Sequence, residues 1–130
     1  ILQELRVIAK NLFGKIDHEW PMGKGERKLL GTIWFYLSIA GDRDVQKNCL
    51  ESIMHSSMTI SRAALGALKP LDNTLTEEAS DLFYNLWKEN PVVLDSWFAY
   101  EGSRPHKRGM NVIERLRTNV WLFWCAWSCR

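Results

Sequence analysis

A chain of 130 residues is long enough to bury one core and short for a complete enzyme that carries a cofactor. Hydrophobic residues make up 46% of it and charged residues 25%, a balance that excludes a disordered chain. The formal charge of +2 argues against nucleic acid, because phosphate binding rests on clustered basic charge. The longest apolar run, Val120 to Trp127, is far short of the roughly 20 residues that cross a bilayer.

The chain opens on Ile1 and not on methionine, which leads to the expectation that it is a piece of a larger protein. Its front, Leu2, Gln3, Glu4, Leu5, Arg6, scatters charge among apolar positions and does not read as a secretory signal. Cys49, Cys125 and Cys129 form no disulfide framework, so a cytoplasmic or other reducing compartment is expected. Each of the seven tryptophans needs a large buried surface and a partner for its indole N–H.

Apolar residues recur at helical spacing and strict alternation is rare, so the fold class is all-α. Residues 18–22 read as a loop between the first two helices. The spacing then predicts a helix over about 26–39, with Leu29, Leu30, Ile33, Trp34 and Leu37 on one stripe. Gly41 and Asp42 end it. The next segment places Val45, Cys49, Leu50 and Ile53 on one face and Arg43, Gln46, Lys47 and Glu51 on the other. His55, Ser56 and Ser57 make a turn, and Ser57 or Thr59 caps the following helix, whose inner face is Ile60, Ala63, Ala64, Ala67 and Leu68. Such small residues imply a neighbouring helix at close range.

Pro70 closes that helix, and Leu71, Asp72 and Asn73 form a short loop. Thr74 and Glu77 have the spacing of a capping box, and the helix they open carries Ala79, Leu82, Phe83, Leu86 and Trp87. Asn90 followed by Pro91 predicts a cap and a first-turn proline, ahead of a stripe of Val93, Leu94, Trp97 and Phe98. Gly102 to Pro105 break the pattern, and a last helix runs from about Met110 through Ile113, Leu116 and Val120. Short loops between short helices mark antiparallel neighbours, as in bundles and α-solenoids.

Chemistry is sparse. His18, Glu19, Trp20, Pro21, Met22 begins like His-Glu-x-x-His, but Met22 replaces the second zinc-binding histidine and Pro21 breaks the helix that would align the pair. Cys125 and Cys129 provide only two thiols, and no histidine lies beside them. Gly23 and Gly25 flank Lys24 without the spacing of a phosphate loop. Arg104, His106, Lys107 and Arg108 read as a solvated basic loop, and Glu77, Glu78, Asp81, Glu89, Asp95, Glu101 and Glu114 mostly as first-turn or surface carboxylates. The expectation is no catalytic, cofactor-binding or metal-binding residue.

Two strings nevertheless carry a resemblance. Trp87, Lys88, Glu89, Asn90, Pro91, Val92, Val93, Leu94, Asp95, Ser96, Trp97, Phe98, Ala99 resembles the W-x-x-x-P-L-V-L-D-K-W-F-A stretch of the bacterial-type aminopeptidase N family, the zinc alanyl aminopeptidases. Upstream, Ser57, Met58, Thr59, Ile60 and the alanines after them are similar to that family's N-M-T-D turn and alanine-rich helix, and Arg27, Leu29 and Leu37 match the helix before it. The likeness covers roughly 26–116. Gly31 stands where the family has asparagine and Ser96 where it has lysine, and the loop from Ser103 to Gly109 is unusually basic. Residues 118–130 form a divergent aromatic tail.

The resemblance implies one helical domain of stacked antiparallel pairs, a HEAT/armadillo-like superhelix in which Trp87, Pro91, Leu94, Asp95, Trp97 and Phe98 pack one layer on the next. It implies a non-catalytic scaffold that packs against the parent enzyme's catalytic domain and encloses the peptide-binding cavity. The zinc and the motifs that hold it belong to the parent's other domains. A free-standing helical interaction module is the alternative, and a small helical enzyme using Asp95, Glu101 or His106 is a remoter one. Helix faces left open by a truncated solenoid lead to the expectation of self-association.

Overall fold

In the computed structural model, the structure describes residues 1–16, 23–55, 57–104, 114, 117 and 118. Among them are six α-helices and no strand: α1 (Leu2–Ile16), α2 (Lys24–Ile39), α3 (Arg43–Ser52), α4 (Met58–Leu68), α5 (Thr74–Trp87) and α6 (Pro91–Gly102). Each helix packs on the next in the chain, and α2 also lies along α4, so the inner helices of the first two pairs form one layer. The all-α expectation holds. The last helix proposed from Met110, the loop at 18–22 and the tail at 118–130 lie, apart from Glu114, Arg117 and Thr118, outside the described residues.

Local chemistry sets the element ends. Gly41 takes a φ of +83°, a left-handed conformation that favours glycine, and the chain turns there out of α2. Asp42 then caps α3, its side chain accepting from the Val45 N–H at 3.3 Å. Ser57 caps α4 through its backbone carbonyl and makes no side-chain cap. Pro70 does not end the helical path at once, because Lys69–Leu71 continues as one 3-10 turn before Asp72 reverses it at φ 43°. Asn90 caps α6 by accepting from the Val93 N–H, and Pro91 occupies the first turn, where its missing N–H costs nothing.

The start of α5 differs from the sequence expectation. Its cap is Asn73, which accepts from Thr76 N–H at 3.2 Å, while the Thr76 hydroxyl accepts from Asn73 N–H and donates to the Leu68 carbonyl at 3.0 Å. The box is therefore Asn73 with Thr76, one residue ahead of the expected Thr74 with Glu77. Thr76 wins because its hydroxyl, fully buried, also satisfies a carbonyl at the end of α4.

The core runs through all six helices, from Ala9 to Tyr100. On α2 it takes Leu30, Ile33, Trp34 and Leu37, whereas Leu29, assigned to the same stripe from spacing, is 49% exposed. Gln46 is likewise misplaced by the helical pattern: it is buried, and its amide donates to the Ser38 carbonyl at 3.0 Å across the α2 to α3 corner. On α4 the predicted small face is the inner one. Ala64, Ala67 and Leu68 are buried there, and α2 comes so close that a Cβ built on Gly31 would lie 3.1 Å from the Ala63 Cβ. The asparagine that the resemblance led us to expect at Gly31 would force the two helices apart.

Candidate functional site

The tryptophan string from α5 into α6 builds a polar constellation inside the helix stack. Trp97 is 1% exposed, lies 4.8 Å from the Tyr84 ring and meets Phe98 edge-on at 5.3 Å. Its indole N–H donates to the Ser80 hydroxyl at 2.9 Å, and Ser80 donates onward to Glu101. Glu101, 2% exposed, is met by Arg104, which donates to its two oxygens at 3.1 and 3.4 Å and to Glu77 at 2.6 Å. The result is a relay of indole, hydroxyl, carboxylate and guanidinium, buried as far as Arg104 and ending on the half-exposed carboxylate of Glu77.

Burial works against the charge on Arg104, but the hydrogen bond to Glu77 and the field of Glu101 outweigh it and hold its pKa above the ordinary value. The guanidinium also sits 5.9 Å from the centre of the Tyr100 ring. Burial pushes the Tyr100 hydroxyl up as well, with the nearby Arg104 charge opposing. An arginine and a glutamate locked together in this way bind helices to one another; neither presents a free group to a substrate.

These positions revise two sequence expectations. Arg104, read as part of a solvated basic loop, is buried and ion-paired, and Glu101, read among surface carboxylates, is buried with it. His106, Lys107 and Arg108 lie outside the described residues. Of the residues singled out for packing, Leu94 and Trp97 are buried and Trp87 and Phe98 half-buried. Trp87 also donates to the Ser61 hydroxyl at 3.3 Å, and Ser61 donates to the Ile53 carbonyl at 2.7 Å, which ties α5 through α4 to the end of α3. Pro91 and Asp95 are exposed on α6, so Pro91 serves the helix start and Asp95 takes no part in the buried layer.

Sequence reasoning passed over Ser61, Thr76 and Ser80, and it named Glu101 and Arg104 but placed both at the surface. One signal was present: Thr76, Ser80, Phe83 and Trp87 recur at steps of four, three and four, so the polar pair shares the stripe of the aromatic one. Among the described residues no group of three or more histidine, cysteine, aspartate or glutamate side chains stands ready for a metal. No described helix is long and apolar enough to cross a membrane. Cys49 is a free, fully buried thiol; burial pushes its pKa up to about 12 against a weaker opposing hydrogen bond with Ser38, which makes it a packing group and not a nucleophile.

A second feature is concave. Between α1 and α3, over α2, lies a cleft of about 750 Å³ with Ala9, Phe13, Trp34 and Val45 on its floor. Arg6 pairs with Asp42 at one end and Phe13 meets His55 edge-on at the other, their centroids 6.2 Å apart. Asp42 caps the start of α3 and His55 follows its end, while Arg6 lies in the first half of α1 and Phe13 near its end, so α1 and α3 run in the same direction.

A family model described as a domain of unknown function (DUF3458_C) with ARM repeats matches residues 4–121. Neither a curated protein nor a solved structure matches the chain.

Proposed function

This chain belongs to the DUF3458_C family of ARM-repeat domains, and from that premise we propose that it is the non-catalytic helical scaffold of an aminopeptidase N-like zinc metallopeptidase. The observation that carries the reading is the tryptophan string: the residues of Trp87 to Ala99 that resemble the aminopeptidase sequence are those that join α5 to α6 and, through Trp87, to α4. A stacked layer tied by buried indoles is suited to rigid enclosure. The domain would pack against the parent's catalytic domain and close one side of its peptide cavity.

The chemistry would belong to the parent. Zinc in that enzyme class polarises the scissile carbonyl and activates water, and the described residues here bring no ligand set together for it. The domain's work would be shape, and it would operate in the cytoplasm or another reducing compartment, where the free thiol of Cys49 is stable.

The encoding gene tests this directly. A reading frame upstream of Ile1 that carries His-Glu-x-x-His supports the scaffold role. Its absence would favour a free-standing interaction module, a reading that draws on the cleft between α1 and α3. The purified chain is expected to show no zinc-dependent release of dye from an N-terminal alanine substrate, and turnover would overturn the non-catalytic assignment.

A further inference from the structure

The cleft has walls of unlike charge. From α1 comes Lys10, and from α3 come Asp44 and Glu51 with Asn48 between them, all four exposed. Arg6 and Asp42 neutralise each other at one end. Asp44 and Glu51 enter no ion pair among the described residues, so the α3 wall keeps two free carboxylates beside an aromatic floor.

We propose that this cleft binds an arginine side chain of an extended peptide segment in a partner protein. A guanidinium is planar, offers donors along its edge to Asp44, Asn48 and Glu51, and presents a face to aromatic rings such as Phe13. A lysine ammonium would meet the carboxylates but not the ring face as well, and an acidic segment would be repelled by the α3 wall. Among the described residues, two unpaired carboxylates line the cleft and no group of three or more ligating side chains stands ready for a metal. Arg6 and Phe13 are seven residues apart, about 10 Å along a helix, which accommodates about three residues of extended chain.

The inference stands on this chain's own residues and does not depend on an aminopeptidase parent. It is tested by fluorescence polarisation of the full chain with a dye-labelled Gly-Ala-Arg-Ala-Gly peptide, beside counterparts with citrulline or glutamate in place of arginine. Citrulline keeps the shape and removes the charge. The arginine peptide should bind at least tenfold more tightly than the other two, and the double variant Asp44→Asn with Glu51→Gln should remove that advantage. If the double variant loses helicity by circular dichroism, Lys10→Glu is read instead and should tighten arginine binding severalfold. Equal binding of the citrulline peptide, tighter binding of the glutamate peptide, no binding of any, or indifference to these variants would overturn the site.

Discussion

Gly31 of α2 faces Ala63 of α4 so closely that a Cβ on Gly31 would stand 3.1 Å from the Ala63 Cβ, a contact that a side chain makes only if α4 gives way by a few tenths of an ångström. Glycine within a helix costs about 1 kcal/mol relative to alanine, so its presence at mid-helix marks the close approach of the two inner helices. What α2 loses in local propensity is offset by burial of Leu30, Ile33, Trp34 and Leu37 against α4 and its neighbours.

Replacing Gly31 by asparagine should therefore overpack this contact and lower stability by about 1–3 kcal/mol. Gly31→Asn combined with Ala63→Gly should regain part of the loss, since the second change removes the atom in the way. Urea midpoints of the two single variants and the double variant decide it; simple additivity would show that the contact is not the cause.

Removing the cation from the buried relay should be the most damaging change. Arg104→Leu would leave Glu101, at 2% exposure, without its guanidinium, and breaking a buried pair in this way costs about 3–5 kcal/mol. Adding Glu101→Gln should return much of it, because the stranded charge is gone. Glu77→Gln should cost under about 1 kcal/mol, as Glu77 is half exposed. A double-mutant cycle by chemical denaturation checks the ordering, and equal losses from Arg104→Leu and Glu77→Gln would contradict it.

At the start of α5, Asn73→Ala should lose about 1 kcal/mol of stability, and Thr76→Val more, since it also strands the Leu68 carbonyl. Thr74→Ala should be close to neutral, because Thr74 is exposed and caps nothing. Thermal unfolding of the three variants separates the observed box from the Thr74 and Glu77 box that the sequence spacing suggests.

Cys49 predicts a pH dependence. Its pKa is raised from 9.0 to about 12 by burial, partly opposed by Ser38, so above pH 9 the unfolded chain releases a proton that the folded chain keeps. The stability carried by the protonated thiol is whole below 9.0 and is lost as pH rises toward about 12. Unfolding free energy measured at pH 8 and pH 10 should fall more steeply for the parent chain than for Cys49→Ala. Equal slopes would show that the thiol is not held protonated.

Self-association is expected through the outer side of α2, where Leu29, Tyr36 and Ile39 are exposed at spacings of seven and three and so share one stripe. Light scattering of the parent chain should show species heavier than the monomer, and Tyr36→Glu with Ile39→Lys should reduce them. A clean monomer at micromolar concentration would dispose of this.

Helix class, order and most helix ends were legible in the sequence because they rest on local rules: the recurrence of apolar residues every three or four positions, Gly41 at a turn, Asn90 before Pro91. The inner faces of α4 and α6 were legible for the same reason. The polar interior was not. Gln46, Ser80, Glu101 and Arg104 have the composition of a surface, and each is buried because a partner from another helix meets it: the Ser38 carbonyl for Gln46, the Trp97 indole for Ser80, the Ser80 hydroxyl for Glu101 and the Glu77 carboxylate for Arg104. The cleft arises in the same way, from α1 and α3, which are neighbours only because α2 lies beneath both.

What the amino-acid order determined alone is thus the set of helices and their hydrophobic stripes, since spacing along one helix decides which side chains share a face. Only the tertiary structure decided which polar groups lie inside and where a concave surface opens. Burying a charge or an amide is costly unless a partner arrives, and that partner comes from a part of the chain that no local pattern connects to it.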